Sequence, residues 1–248
     1  MVRIKPFRAV RPPKEHASEV ASRPYDVLNS AEAKAEATER SLLHIIKPEI
    51  DFDPIADEHS QPVYDKAVEN FRRWQSEGWL RQDPEEYYYI YAQTMEGRTQ
   101  YGLAMCCHFE DYLSGAIKKH ELTRPDKEED RMIHVRNQKA NIEPVFFAYP
   151  DDAEIDAIVA DVVKNNAPEY DFTAADGFGH QLWVIRDRKT NDRITELTNW
   201  SRRFSRASRR SMSPTDTTAR PPRRAWDRSA ARRIRTTRAA RSTAISWP

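Results

Sequence analysis

Val63, Ala67, Phe71 and Trp74 fall at i, i+4, i+8 and i+11 behind Pro62. This spacing predicts a helix with one buried face, opened by the proline and ended by Gly78. Two β-rich runs follow, Tyr87 to Gln93 and Thr99 to Phe109, joined across Glu96-Gly97. The dipeptide predicts a hairpin, and the sheet it starts is the expected partner of the helix. Further on, the pattern predicts a helix over 126–139, a buried strand over 145–149, and a helix over 152–165 with Ile155, Ile158, Val159 and Val162 inward. A second hairpin, 170–174 with 181–186, is expected around Asp176-Gly177-Phe178-Gly179.

The opening, Arg3 to Val27, contains Arg11-Pro12-Pro13 and Arg23-Pro24, which hold the residues before proline extended, so strand and loop are expected. Asn29 with Glu32 makes a capping box ahead of a run of helix formers, Ala31 to Arg40. Ser41 to Ile46 reads as a short strand carrying His44. Helices mixed with hairpins give an α+β class, with mixed or antiparallel sheets and packed helices.

The pattern stops near Asn199. Residues 201–248 contain no Leu, Val, Gly, Glu, Lys, Tyr, Asn or Gln and are mostly Arg, Ser, Ala, Thr and Pro. Such a segment cannot bury a core, so it is expected to be a disordered Arg-rich tail. The domains expected are 1–198, folded, and 199–248, foreign to that fold. Charge divides at the same place: the tail has 14 Arg against Asp216 and Asp227, which leaves 26 basic and 37 acidic residues before it. The overall +1 therefore averages an acidic body and a basic tail, and an acidic body argues against phosphate-backbone partners.

Cys106 and Cys107 are adjacent in a strand-like run, where successive side chains point to opposite faces, so no disulfide is expected. No signal-peptide pattern and no run of about 18 apolar residues is present, and a cytoplasmic setting without membrane contact is expected.

Lys118-Lys119-His120-Glu121-Leu122-Thr123 is the densest polar cluster. It offers a cation, an imidazole and a carboxylate to an anionic ligand, or is simply a solvated connection. Asp130-Arg131 reads as a surface pair, and Arg23-Pro24-Tyr25-Asp26-Val27 as a site or a structural corner. His108, His120, His134 and His180 show no metal-ligand spacing with Cys or a second His, so no metal site is expected. Asp176-Gly177-Phe178-Gly179-His180 is turn chemistry, and no nucleophile-elbow, phosphate-loop or zinc-helix motif is present.

A set of motifs in fixed order carries a family resemblance: Lys5-Pro6-Phe7-Arg8-Ala9, Arg11-Pro12, Arg23 to Val27, Ser41-Leu42-Leu43-His44, Lys47-Pro48-Glu49, Trp74 with Glu77-Gly78, Lys118 to Thr123, and Asp130-Arg131. Over residues 1 to about 198 the chain resembles a bacterial and archaeal family catalogued as domain of unknown function 1015. In that family a hydrophobic strand and Tyr-[Ile/Val]-Ala-Asp-Gly-His-His-Arg should follow shortly after Leu197, and this sequence has no such motif. If each codon from Ser211 is regrouped as its third base plus the next two, the genetic code permits that motif in succession. Met212 then makes the second residue Val when Ser213 uses a TC codon. The resemblance thus implies a frameshift after about residue 199.

The missing box resembles that of ParB and sulfiredoxin-type proteins, in which a turn leads into a helix and suits phosphate through free backbone N–H groups and Arg. Relatives of that fold include a free-serine kinase. The resemblance therefore implies phosphotransfer of kinase or phosphatase type in serine metabolism, on a small phosphorylated or amino-acid substrate. Nucleotide and Mg would be cofactors of the full-length family. It implies His120 and Glu121 as acid/base residues, and Arg23, Tyr25, Asp26, Lys118, Thr123 and Arg131 as substrate or phosphate ligands. A copy without the phosphate turn is expected to be inactive. The alternatives are a ParB-like regulatory or nucleic-acid-binding module and a non-functional fragment.

Overall fold

The computed structural model describes residues 2–118, 125–150, 152–199 and 241–247. In chain order the elements are β1 (Ile4–Lys5), β2 (Val10–Arg11), α1 (Ala17–Val20), α2 (Ser30–Glu36), α3 (Leu43–Ile46), α4 (Gln61–Ser76), β3 (Arg81–Gln82), β4 (Tyr88–Met95), β5 (Arg98–His108) and α5 (Phe109–Leu113). After these come α6 (Pro125–Gln138), β6 (Val145–Ala148), α7 (Ala153–Asn165), β7 (Tyr170–Thr173), β8 (Gly179–Ile185), α8 (Arg188–Asn199) and β9 (Arg241–Trp247). The chain is α+β.

The main sheet has the order β6-β9-β5-β4-β8-β7, with β1 also on β5. Its centre is the expected hairpin, β4 against β5, where Tyr89 faces Ala104 and Met95 faces Arg98. Glu96 and Gly97 both take positive φ, 51° and 74°, the requirement of a two-residue turn whose twist matches the strands. The second hairpin, β7 with β8, also forms, and β8 pairs antiparallel with β4. Of the Arg-rich segment, only Arg241–Trp247 lies among the described residues. It runs as a strand parallel to β5 and antiparallel to β6.

Alternation sorts β4 into two faces. Tyr88, Ile90 and Ala92 join Leu103, Met105, Trp183 and Ile185 in a core closed by Ile155 and Val159 of α7 and by Ile194 and Leu197 of α8. Cys106 and Cys107 are free and buried. On the other face Tyr89 hydroxyl donates to Asp83 Oδ2 at 2.7 Å, and Arg11 grips both oxygens of Asp83 at 2.8 Å. This ties the two-stranded β2–β3 ribbon to the sheet.

The remaining helices form a layer with its own apolar centres. Val63, Ala67, Phe71 and Trp74 of α4 are all buried as their spacing predicts, and Gly78 ends the turn at φ 78°. Their partner differs from expectation. Phe71 and Trp74 pack with Val20, Ile45 and Leu80, and α4 meets α3 and α6 rather than the sheet. The Asn29–Glu32 capping box is present, but its helix stops at Glu36.

Three further expectations are corrected. Ser41 to Ile46 is helical at Leu43–Ile46, with Ile46 N bonding Leu42 O and Lys47 N bonding Leu43 O. Leu43, Ile45 and Ile46 are all buried, and an apolar run enclosed on every side has no period by which to tell strand from helix. The opening segment also contains α1 and two turns of 3-10 helix, Lys14–His16 and Tyr25–Val27, each entered from a proline. The strand at 145–148 forms, but Val145 and Phe146 are 56% and 51% exposed, because β6 is itself an edge of the sheet and pairs only with β9.

Candidate functional site

Three separated segments converge in the helical layer. Pro24, at φ −56° and ψ 148°, starts the 3-10 turn that presents Tyr25. Lys47 joins α3 to the 3-10 turn Pro48–Asp51, which carries Glu49. Helix α6 supplies Asp130, Arg131 and His134. With Ile46 and Glu58 these residues line one cavity of about 10 Å³, room for about one water.

Arg131 organises one wall. Its Nη2 and Nε donate to Asp130 Oδ2 at 2.6 and 3.1 Å, its Nη1 donates to Glu143 Oε2 at 2.9 Å, and its guanidinium carbon lies 3.8 Å over the Tyr25 ring. Glu143 Oε1 also accepts from the Tyr25 backbone N–H. Lys47 organises the opposite wall, with Nζ 2.9 Å from Glu49 and 3.7 Å from Glu58. Lys47 and Glu49 are 5% and 2% exposed, and Ser30 hydroxyl donates to Glu49 as well.

Asp130 is 6% exposed, so the sequence's surface pair is corrected to a buried one. The Tyr64 hydroxyl donates to its Oδ1 at 2.9 Å, and His59 Nδ1 lies 3.3 Å away. Burial pushes the Asp130 carboxyl up, but the bonds from Arg131 outweigh it and hold the group below the usual carboxylate range. Burial raises Glu143 despite Arg131, and raises Tyr64 to about 12 with help from Asp130. His134 is driven down to about 4, first by burial and then by Arg131. Two cations thus stand among four carboxylates, Glu49, Glu58, Asp130 and Glu143, and each cation is already matched. Among the described residues no group of His, Cys, Asp and Glu is placed to hold a metal ion.

Of the residues singled out in the sequence, Tyr25 and Arg131 are brought together. Asp26 is exposed beside Tyr25, and its charge contributes to the upward push on Glu143. Arg23 is exposed and paired with Glu36, away from the cavity. Lys118 is exposed at the end of a described stretch, and His120, Glu121 and Thr123 lie outside the described residues. Sequence reading passes over Lys47, Glu49, Tyr64, His134 and Glu143 as site residues. One signal was available: Asp130, His134 and Gln138 recur at i, i+4 and i+8 on α6 and are all buried, while Met132 and Val135 of the same helix are exposed. The helix is amphipathic in reverse, with its polar stripe inward.

An α+β chain whose helical layer encloses a charged cavity built from motif residues defines the class. The chain belongs to the family described as Protein of unknown function (DUF1015), whose sequence model matches residues 4–206. No curated protein and no solved structure matches it. Among the described residues no helix is long and apolar enough to cross a membrane.

Proposed function

We propose that this domain belongs to a cytoplasmic phosphotransfer enzyme, kinase or phosphatase in type, acting on a small amino-acid substrate in serine metabolism. The observation that carries the reading is the convergence of Tyr25, Lys47 with Glu49, and Asp130 with Arg131 from three motifs on one cavity. A zwitterion matches such a wall because it can replace an existing ion pair charge for charge, its carboxylate taking the cation and its ammonium the carboxylate released. The cavity as it stands admits about one water, so on this reading an amino acid enters by displacing Glu58, half exposed and 3.7 Å from Lys47.

The same charge pattern is a poor fit for phosphates or a nucleotide, because every cation would first have to leave a carboxylate. The phosphoryl side therefore falls to the Lys118–Thr123 segment and to the Asp-Gly-His-His-Arg turn that residues 201–248 lack. His120 is five residues before Pro125, a reach of at most about 18 Å, and keeps its proposed role beside Glu121 on that side. On this reading the chain binds its acceptor but does not turn it over.

The test is serine-dependent ATP consumption and phosphate release from O-phospho-L-serine. Both are measured for this chain and for a version whose frame after residue 199 restores Tyr-Val-Ala-Asp-Gly-His-His-Arg. Turnover only in the restored version is expected. Turnover by the present chain would sink its inactivity, and silence in both would sink phosphotransfer. The nucleotide sequence over codons 197–212 decides the frameshift directly.

A nucleic-acid-binding reading is favoured by one feature, the 14 Arg of residues 201–248. It predicts DNA binding that weakens steeply with salt. If residues 1–200 alone bound DNA in moderate salt, this reading would displace the first.

A further inference from the structure

Strand β6 is held on the core by side chains, yet it reaches the rest of the sheet only through β9. Phe147 of β6 and Tyr149 just after it pack against the main core. Among the described residues β9 is the one sheet partner of β6. Without β9, the edges of β5 and β6 face each other two strand spacings apart, about 9.5 Å, each with a row of backbone N–H and C=O groups. The gap has the width of one strand. Arg241–Trp247 stands in it, parallel to β5 and antiparallel to β6.

The register of β9 is poorly matched to this gap. Opposite Leu103, Met105 and Cys107, the core-facing residues of β5, come Ser242, Ala244 and Ser246. Opposite Phe147 and Val145 of β6 come Ser242 and Ala244 again. Paired residues of adjacent strands share a face, so the core-side positions of β9 hold only small residues, and Thr243, Ile245 and Trp247 fall at the alternate positions. A strand is normally fixed in register by its apolar set facing the core. The apolar set of β9 falls on the opposite side, so its hold rests on the main-chain ladder. Residues 200–240 separate it from α8, so it can leave the gap without drawing that helix with it.

We propose that the gap between β5 and β6 is an acceptor site for an extended segment of a partner protein, recognised by aliphatic residues at three alternate positions, and that Arg241–Trp247 is its displaceable occupant. Main-chain hydrogen bonds to β5 and β6 give affinity for an extended chain, and the positions beside Leu103, Met105 and Cys107 give the selection. A second copy of this chain is a poorer occupant. It brings the same Ser242, Ala244 and Ser246, whereas the chain's own strand is tethered at an effective concentration on the order of millimolar. A partner with Val, Ile or Leu at those positions outdoes both, because each aliphatic side chain buried there adds about tenfold in affinity. None of these residues lines the charged cavity, so the inference is independent of the phosphotransfer reading.

The experiment titrates the 248-residue chain into a fluorescein-labelled Arg241–Trp247 peptide carrying Ser242→Val, Ala244→Val and Ser246→Val, and reads anisotropy. This peptide should bind at least about tenfold more tightly than the unsubstituted one, and adding Ile245→Pro, which removes a ladder N–H, should abolish binding. In the chain itself, Ser242→Val with Ser246→Val should raise Tm and weaken peptide binding at least about tenfold by filling the gap from within. Thr243→Val, at an alternate position, should do neither. Disulfide trapping locates the site: the valine peptide with Cys in place of Val at position 244 should cross-link to a Val145→Cys chain, its partner in register, and not to Val27→Cys, which is as exposed but lies elsewhere. Equal affinity of the two peptides, undiminished binding to the doubly substituted chain, or cross-linking at Val27→Cys instead would each overturn the inference. So would a dimer formed by exchange of Arg241–Trp247 in place of peptide binding, which would assign the gap to a second copy.

Discussion

Arg131 lies flat on Tyr25, its guanidinium carbon 3.8 Å from the ring centre, while its nitrogens fork between Asp130 and Glu143. Two contributions are separable here. Tyr25→Leu removes the stacking and should cost about 1–2 kcal/mol. Arg131→Met takes the counter-charge from buried Asp130 and half-buried Glu143 and should cost about 3–5 kcal/mol. Urea denaturation measures both, and equal losses would show that the fork contributes nothing beyond the stack.

Lys47 and Glu49 form the most enclosed ion pair of the cavity. Removing one partner, as in Glu49→Ala, should cost about 3–5 kcal/mol, because the other charge stays buried. Removing both as Lys47→Met with Glu49→Leu should recover most of that loss while abolishing serine binding. A double variant as unstable as the single would show that the loss comes from packing and not from charge.

Stability should depend on pH through two histidines of opposite sign. His44 donates one ring nitrogen to Asp51 and the other to Thr38 O, and both acceptors favour the charged ring, so the bond to Asp51 raises His44. Arg73 opposes this weakly, while Asn70 and Lys66 support the Asp51 carboxylate. A raised histidine stabilises fully below about pH 6.5, and that contribution is lost as pH climbs through its folded value. Asp51 is lowered, so its contribution holds above about pH 4 and is lost as pH falls through its folded value. His134 behaves oppositely: the unfolded ring takes a proton below about pH 6.5 while the folded ring resists until about 4. Its shift withdraws about 3 kcal/mol across that interval. His134→Gln should flatten the acid limb and His44→Gln the alkaline limb of stability against pH. Identical limbs in both variants would refute the assignment.

The β2–β3 ribbon depends on Asp83, which is gripped by Arg11 and by Tyr89 hydroxyl. Asp83→Ala removes the two-oxygen grip but leaves Arg11 paired with Glu169 at 3.2 Å, so it should cost about 1.5–3 kcal/mol, and Tyr89→Phe about 1 kcal/mol. Hydrogen exchange at Val10 and Gln82, paired across the ribbon, should quicken in the first variant. Unchanged exchange there would mean that the ribbon holds without this ion pair.

The sheet was legible because its signals are local. Glu96-Gly97 demands positive φ twice, and Tyr88, Ile90 and Ala92 alternate with residues of the other face. The face of α4 was legible for the same reason, but what it packs on was not, since a stripe of Val63, Ala67, Phe71 and Trp74 looks alike against a sheet or against helices. The cavity was the least legible part. Tyr25 and Arg131 stood out as polar motif residues, but Lys47 and Glu49 are charged residues buried among Ile45, Ile46 and Ile50, where charge ordinarily signals solvent. His134 and Gln138 were hidden by the same rule, because on α6 the apolar Met132 and Val135 are the exposed ones.

Helix α6 delivers Asp130, Arg131 and His134 together, and so it acts as a rotary key. Each residue added to or removed from a helix turns everything beyond it by about 100°. A one-residue deletion between Pro125 and Asp130 would therefore put Arg131, Met132 and Val135 where Asp130, Arg131 and His134 stand. Changes of length before Lys118 or beyond Glu143 leave that register untouched.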